Sequence, residues 1–175
     1  LLSSPMRAAL ILATLVALTT AARADLDGDV FTSADDGVRI EVPRGWRASD
    51  KSAYPHVLLT LSRSRPRARV FITIDPIVPG CRTEPDAVFC SSDPPKAMAS
   101  LRERLDRLGV RVTAQQDSRT PELEYEANGR YVRHALVIVG DRVVSVILAT
   151  ERGDDRSGLR RMFDRLVQSV RPSAS

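Results

Sequence analysis

Only two histidines, His56 and His134, occur among the 175 residues. Histidine is the side chain that most readily changes charge near neutral pH and the commonest metal ligand, so acid–base and metal chemistry start with little material. Cysteine is as scarce, with Cys81 and Cys90 alone. A zinc centre would need two ligands more than this pair, and no metal or other cofactor is expected. Lysine is nearly missing: Lys51 and Lys96 stand against a large excess of arginine, which reads as a composition bias rather than a phosphate-reading device. Aromatic residues make up 5% of the chain, and the aromatic interleaving of a single-strand nucleic-acid platform is absent. Nucleic acid is therefore not an expected partner.

Catalytic signatures are lacking too. There is no Gly-x-Ser-x-Gly elbow. Nor does the sequence establish two neighbouring carboxylates of the kind glycoside hydrolysis needs. No catalytic residue is assigned and no enzyme is expected; a hydrolase built on His56 or His134 is the remote alternative. Asp25, Asp27, Asp29 and Asp36 fall in the register of a calcium loop. Val30, however, sits where the sharp turn demands glycine, and a strand follows rather than a helix. These acids read as a solvated tail.

No apolar run is long enough to anchor the chain in a membrane. Ala8 to Leu18 would span about 16 Å as a helix, against roughly 30 Å of bilayer core. What this run does resemble is the apolar centre of a secretory leader. Met6-Arg7 precedes it, and Ala22-Arg23-Ala24 supplies an A-x-A cleavage pattern. Met6 is the expected true start, residues 1–24 the signal peptide, and residues 25–175 one exported domain, periplasmic or secreted. Loss of the leader removes Arg7, Arg23 and no acid, which halves the formal charge of +4. Export makes a disulfide the first reading of Cys81 and Cys90, in an otherwise proline-rich loop; a metal pair or a reactive thiol are the alternatives.

Within the domain the hydrophobic pattern is mostly that of strands. Val30-Phe31 reads as a brief edge strand. Val38, Ile40 and Val42 alternate with polar residues, as do Val57, Leu59, Leu61 and then Val70, Ile72, Ile74. Asn128-Gly129 is a strong hairpin signal, and Gly140-Asp141 joins two strands apolar on both faces. Such strands need cover on both sides, so they belong at the centre of the sheet. Met98, Leu101, Leu105 and Leu108 form a helical stripe opened by Pro94-Pro95 and stopped by Gly109. A second stripe is Leu159, Met162, Phe163, Leu166 and Val170, capped by Asp154 or Asp155. The expected fold is α/β (α+β): a central, mostly antiparallel sheet of six to seven strands with two main helices.

Two surface features stand out. Arg63, Arg65, Arg67 and Arg69 alternate along a hairpin, so an extended chain would point them to one side. There they could hold lipid head groups, lipopolysaccharide or an acidic partner bidentately; the plainer reading is a soluble tip that blocks edge pairing. Trp46, between Arg44 and Arg47, is either an exposed binding anchor or a ring covering the end of the sheet. The first functional expectation is a non-enzymatic binding module for a protein of the cell envelope, using the Cys81 to Cys90 loop and the arginine hairpin. The second is a binder of anionic surfaces.

The segment Gly37-Val38-Arg39-Ile40-Glu41-Val42-Pro43-Arg44-Gly45-Trp46 resembles the opening strand of PsbP-like domains, where an apolar alternation runs into Pro-x-Gly-Trp. The C-terminal order is similar as well: an Asn-Gly hairpin, a strand pair turned by Gly140-Asp141-Arg142, and a helix ending in Ser169-Val170-Arg171. The resemblance covers nearly all of Val30 to Arg171. It implies an α/β/α sandwich used as a binding or accessory module. Members include a photosystem II accessory protein that helps retain calcium and chloride, a nuclear Ran-binding import factor, and exported bacterial proteins. The disulfide-bearing loop departs from the plant pattern, so the photosystem role does not carry over, and export puts a Ran-type partner out of reach.

Overall fold

The computed structural model describes residues 25–50, 56–81, 89–151 and 156–173. The elements run β1 (Asp25–Asp27), β2 (Val30–Ser33), β3 (Val38–Glu41), β4 (Arg47–Ser49), β5 (Val57–Ser64), β6 (Arg67–Pro76), α1 (Pro94–Arg107), β7 (Val112–Gln116), β8 (Glu122–Ala127), β9 (Arg130–Val139), β10 (Arg142–Thr150), α2 (Arg156–Ser169) and β11 (Arg171–Pro172). The main sheet has seven antiparallel strands in the order β4-β5-β6-β10-β9-β8-β7. This is the expected α+β class. The two strands apolar on both faces, β9 and β10, stand at and beside its middle.

One face of the sheet packs α1 over β7 to β10, with Phe89, Met98, Leu101, Leu123 and Leu136 in its core. The other face packs α2 through Leu159, Met162, Phe163, Leu166 and Val170. A small sheet, ordered β1-β2-β3-β11, adds Phe31, Val38 and Ile40 to this second core. Phe31 and Phe163 are fully buried, each worth about 2–3 kcal/mol of removal from water. The sandwich therefore has its α1 layer on one side and a mixed α2 and small-sheet layer on the other.

Local chemistry explains the boundaries of α1. The Asp93 carboxylate accepts from the Lys96 N–H at 3.1 Å, and Pro94 needs no intrahelical partner at the first position. Gly109 turns the chain with φ +71, a left-handed conformation that suits glycine. The expected cap of α2 at Asp154 or Asp155 lies outside the described residues. Three segments differ from the sequence reading. Ala48 belongs to strand β4, which no periodicity in the sequence marks. The acidic N-terminal segment is a β1–β2 hairpin, not a solvated tail. Arg171-Pro172, likewise unmarked by periodicity, forms β11 and pairs with β3. Among the described residues no helix is long and apolar enough to cross a membrane.

Candidate functional site

The site begins with a turn. Trp46 N–H donates to the Pro43 carbonyl at 3.2 Å, and Gly45 takes φ +79 between them. A residue with a Cβ is strained at this angle, which is why glycine stands there. The turn swings the indole inward: Trp46 is 8% exposed and packs in the same core as α2. Of the two sequence readings for Trp46, the ring that covers the end of the sheet is the observed one. Arg44 and Arg47 stay at the surface.

Between this turn and α2 lies a cleft of about 500 Å³. Its floor is apolar, made by Val42 and Trp46 on one side and Leu159, Met162 and Leu166 on the other. Arg44, Arg63 and Arg165 line it, with Glu41 the one carboxylate. Ser169 fixes the α2 end of the cleft against β3: its hydroxyl accepts from the Glu41 N–H at 3.1 Å and donates to the Leu166 carbonyl at 2.7 Å. Arg44, Arg63 and Arg165 are exposed and take part in no ion pair among the described residues. Other arginines do find partners, as Arg142 does with Asp36 at 2.9 Å.

The hairpin itself is tighter than the sequence suggests. β5 continues to Ser64 and β6 begins at Arg67, leaving Arg65-Pro66 as the turn. Ser64 pairs with Arg67 and Arg63 with Ala68. The four arginines therefore do not share one side. Arg63 has the parity of Leu59 and Leu61 and faces the Trp46 cleft. Arg67 and Arg69 alternate with buried Ala68 and Val70 and face the other way. On that second face Arg47 opposes Ser62, and Ser62 opposes Arg69. Arg47, Arg67 and Arg69 flank a shallow hollow of about 330 Å³ there, which Arg63 also borders. Arg67 also meets the exposed Glu151 at 3.3 Å, while Arg65 stays exposed at the tip.

The cysteines do form a disulfide, Cys81–Cys90, with Cα atoms 5.3 Å apart. It lies beyond the Pro76 end of β6, whereas the arginine turn adjoins the Arg67 end. Ten strand residues separate the two ends, roughly 30 Å at 3.3 Å per residue. The disulfide and the hairpin are thus on two surfaces, and loop residues 82–88 lie outside the described residues. Phe89 anchors the disulfide segment: its carbonyl accepts from Val78 N–H at 2.9 Å, and its ring is buried under α1.

Both histidines line one hollow, together with Asp75 and Ser145. His134 is a buried core residue, as its strand parity predicts, with Nδ1 3.3 Å from the Tyr125 hydroxyl. Burial pushes its imidazole down to about 3 and the Tyr125 phenol up to about 12. His56 is exposed, 3.9 Å from Asp75. Burial raises the Asp75 carboxyl, against the pull of His56 and Arg104. No three of His, Cys, Asp or Glu gather as a metal site among the described residues. Asp36, placed by sequence in a calcium-loop register, is instead engaged by Ser33 and Arg142.

Arg165 and the α2 wall were not legible as site residues. Leu159, Met162 and Leu166 signal a core stripe, and only the turn at Gly45 brings Arg44 and Trp46 against them. No protein-family model and no curated protein matches the sequence. The fold does have a counterpart. The solution structure of the cyanobacterial PsbP (CyanoP) from Synechocystis sp. PCC 6803 superposes with a TM-score of 0.54 at 18% identity, covering 82% of this chain and 91% of that one. At this identity the likeness is one of fold, and the chain has a PsbP-like fold.

Proposed function

We propose that this protein is an exported, non-enzymatic binding module, periplasmic or secreted, that docks an acidic segment of an envelope protein in the Trp46 cleft. One observation carries the reading: Arg44, Arg63 and Arg165, all without acid partners among the described residues, converge on an apolar floor. Arginine forks hold carboxylates bidentately. An apolar floor beneath them favours a partner that inserts one apolar side chain between its acids, the usual anatomy of a binding hot spot. The concavity speaks for a protein segment over a flat lipid surface. The leader-like residues 1–24 and the Cys81–Cys90 bond fit an oxidising compartment. The PsbP-like fold supports an accessory role.

The only tryptophan of the chain is in the cleft, so its fluorescence reports occupancy. Titration with an acidic peptide carrying one central leucine should change Trp46 emission saturably. Arg44→Ala with Arg165→Ala should weaken binding by at least tenfold, and added salt should weaken it further. No saturable change, or equal affinity in the double variant, removes the cleft from the proposal. A response to phosphatidylglycerol vesicles but not to the peptide transfers the function to an anionic surface.

A further inference from the structure

On the opposite face of the sheet, polar and charged groups, His56, Asp75 and Arg104 among them, border an apolar layer. Thr73 of β6, Ser145 of β10 and His134 of β9 come together there, one from each of three adjacent strands. Beside them is a hollow of about 330 Å³, closed on its other side by α1 through Leu101 and Leu105. That volume is at the small end for organic-ligand pockets. Leu108, 69% exposed, stands at its edge.

His134 supplies the reason to expect a ligand. Its side chain is buried, and Nε2 has no hydrogen-bond partner. The opposite ring nitrogen, Nδ1, is turned to Tyr125 on β8, which leaves the Nε2 side toward β10 and the hollow. The tautomer follows from counting unmet groups. If Nδ1–H donated to the phenol, the phenolic proton and the bare Nε2 would both lack partners. If the phenol donates to Nδ1, the one unmet group is an Nε2–H donor. A buried donor without an acceptor is rare in native proteins and calls for an explanation.

We propose that this hollow binds a small, mainly apolar molecule bearing a neutral carbonyl oxygen, which accepts a hydrogen bond from His134 Nε2–H. Leu101, Leu105 and Ile147 cover its carbon body. A neutral acceptor suits the site better than a carboxylate, because Asp75, which lines the hollow with His56 and Arg104, would repel an anion placed there. The site is independent of the Trp46 cleft, from which the main sheet separates it.

Acetophenone and ethylbenzene test this directly, since they share a ring and differ in the carbonyl. Proton–nitrogen NMR of the His134 imidazole in the intact protein reads the result. Acetophenone should shift the Nε2 resonance saturably, and bind at least fivefold tighter than ethylbenzene. His134→Phe should weaken acetophenone at least tenfold and leave ethylbenzene within twofold, with ligand-observed NMR as the readout. Leu108→Trp, at an exposed position that tolerates bulk, should weaken both by narrowing the mouth, and tests the site even where His134→Phe fails to fold. Trp46 emission should stay unchanged in the wild type. No saturable shift up to the solubility limit, or equal affinity for the two probes, overturns the proposal and leaves a water as the partner of Nε2.

Discussion

Arg133 of β9 reaches Asp164 of α2 at 3.0 Å, a charge pair that ties the main sheet to its covering helix. The Arg133 Nη1 atom is at ion-pair distance there without hydrogen-bond alignment. Its Nε donates to Glu122 of β8 at 2.7 Å, and the guanidinium stacks 5.0 Å from the Phe163 ring centre. Removing the arginine would leave the Glu122 carboxylate half-buried and unpaired. Arg133→Met should therefore cost about 3 kcal/mol, within the range for one partner lost from a buried pair. Urea unfolding should show a lower midpoint at unchanged slope. Adding Glu122→Leu should recover much of the loss; a single variant as stable as the wild type would show that Phe163 and its neighbours hold α2 without the charge.

Stability should fall on mild acidification because of His134. Its folded value is pushed down to about 3, below the ordinary 6.5, by burial. The unfolded chain thus binds a proton that the folded chain refuses. The contribution is complete above about 6.5 and is lost as pH falls toward 3, at up to about 1.4 kcal/mol per pH unit. Asp75 and Glu122 work in the opposite sense. Burial raises both above their ordinary values, so each costs stability at neutral pH and returns it as pH falls through the folded value toward the unfolded one. Comparison with His134→Gln isolates the histidine, because both proteins share the carboxyl contributions. The wild type should lose stability relative to His134→Gln as pH falls from about 6.5 toward 3; parallel curves would refute the assignment.

The disulfide should support stability and leave the arginine cleft alone. It closes a loop of sequence separation 9, worth about 2.5 kcal/mol in the chain-entropy account. Cys81→Ser with Cys90→Ser should lower stability by roughly that amount. The acidic peptide should bind the double variant as tightly as the wild type, since the two features lie at opposite ends of β6. A tenfold loss of affinity would mean that the loop end and the cleft are coupled.

Much of the fold was legible because periodicity reports which face of each element is buried. The alternation in β3, β5 and β6, the two-sided apolar runs of β9 and β10, and the stripes of α1 and α2 all appear in the sequence. Short elements held by distant partners did not. β4 and β11 have two or three residues and exist because Arg47 meets Ser62 and Arg171 meets Arg39. The hairpin arginines were legible as residues but not as a surface. Alternation predicts one side only while the chain stays extended, and the Arg65-Pro66 reversal divides the four. Arg165 stayed hidden for another reason: a basic residue beside a core stripe is ordinary until the strand end it faces is known.

Export makes the last prediction. If the protein is exported as proposed, the A-x-A pattern at Ala22-Arg23-Ala24 would place cleavage before Asp25, and β1 pairs from that residue, Asp25 opposite Thr32. Cleavage there would leave the small sheet whole, whereas cleavage a few residues later would remove its edge strand. N-terminal sequencing of the protein recovered from periplasm or medium should therefore begin at Asp25. Its intact mass should lie about 2 Da below that of the reduced chain, as the hydrogens lost in joining Cys81 to Cys90 require. A retained leader or two free thiols would remove the oxidising compartment from the proposal, and with it the case for an envelope partner.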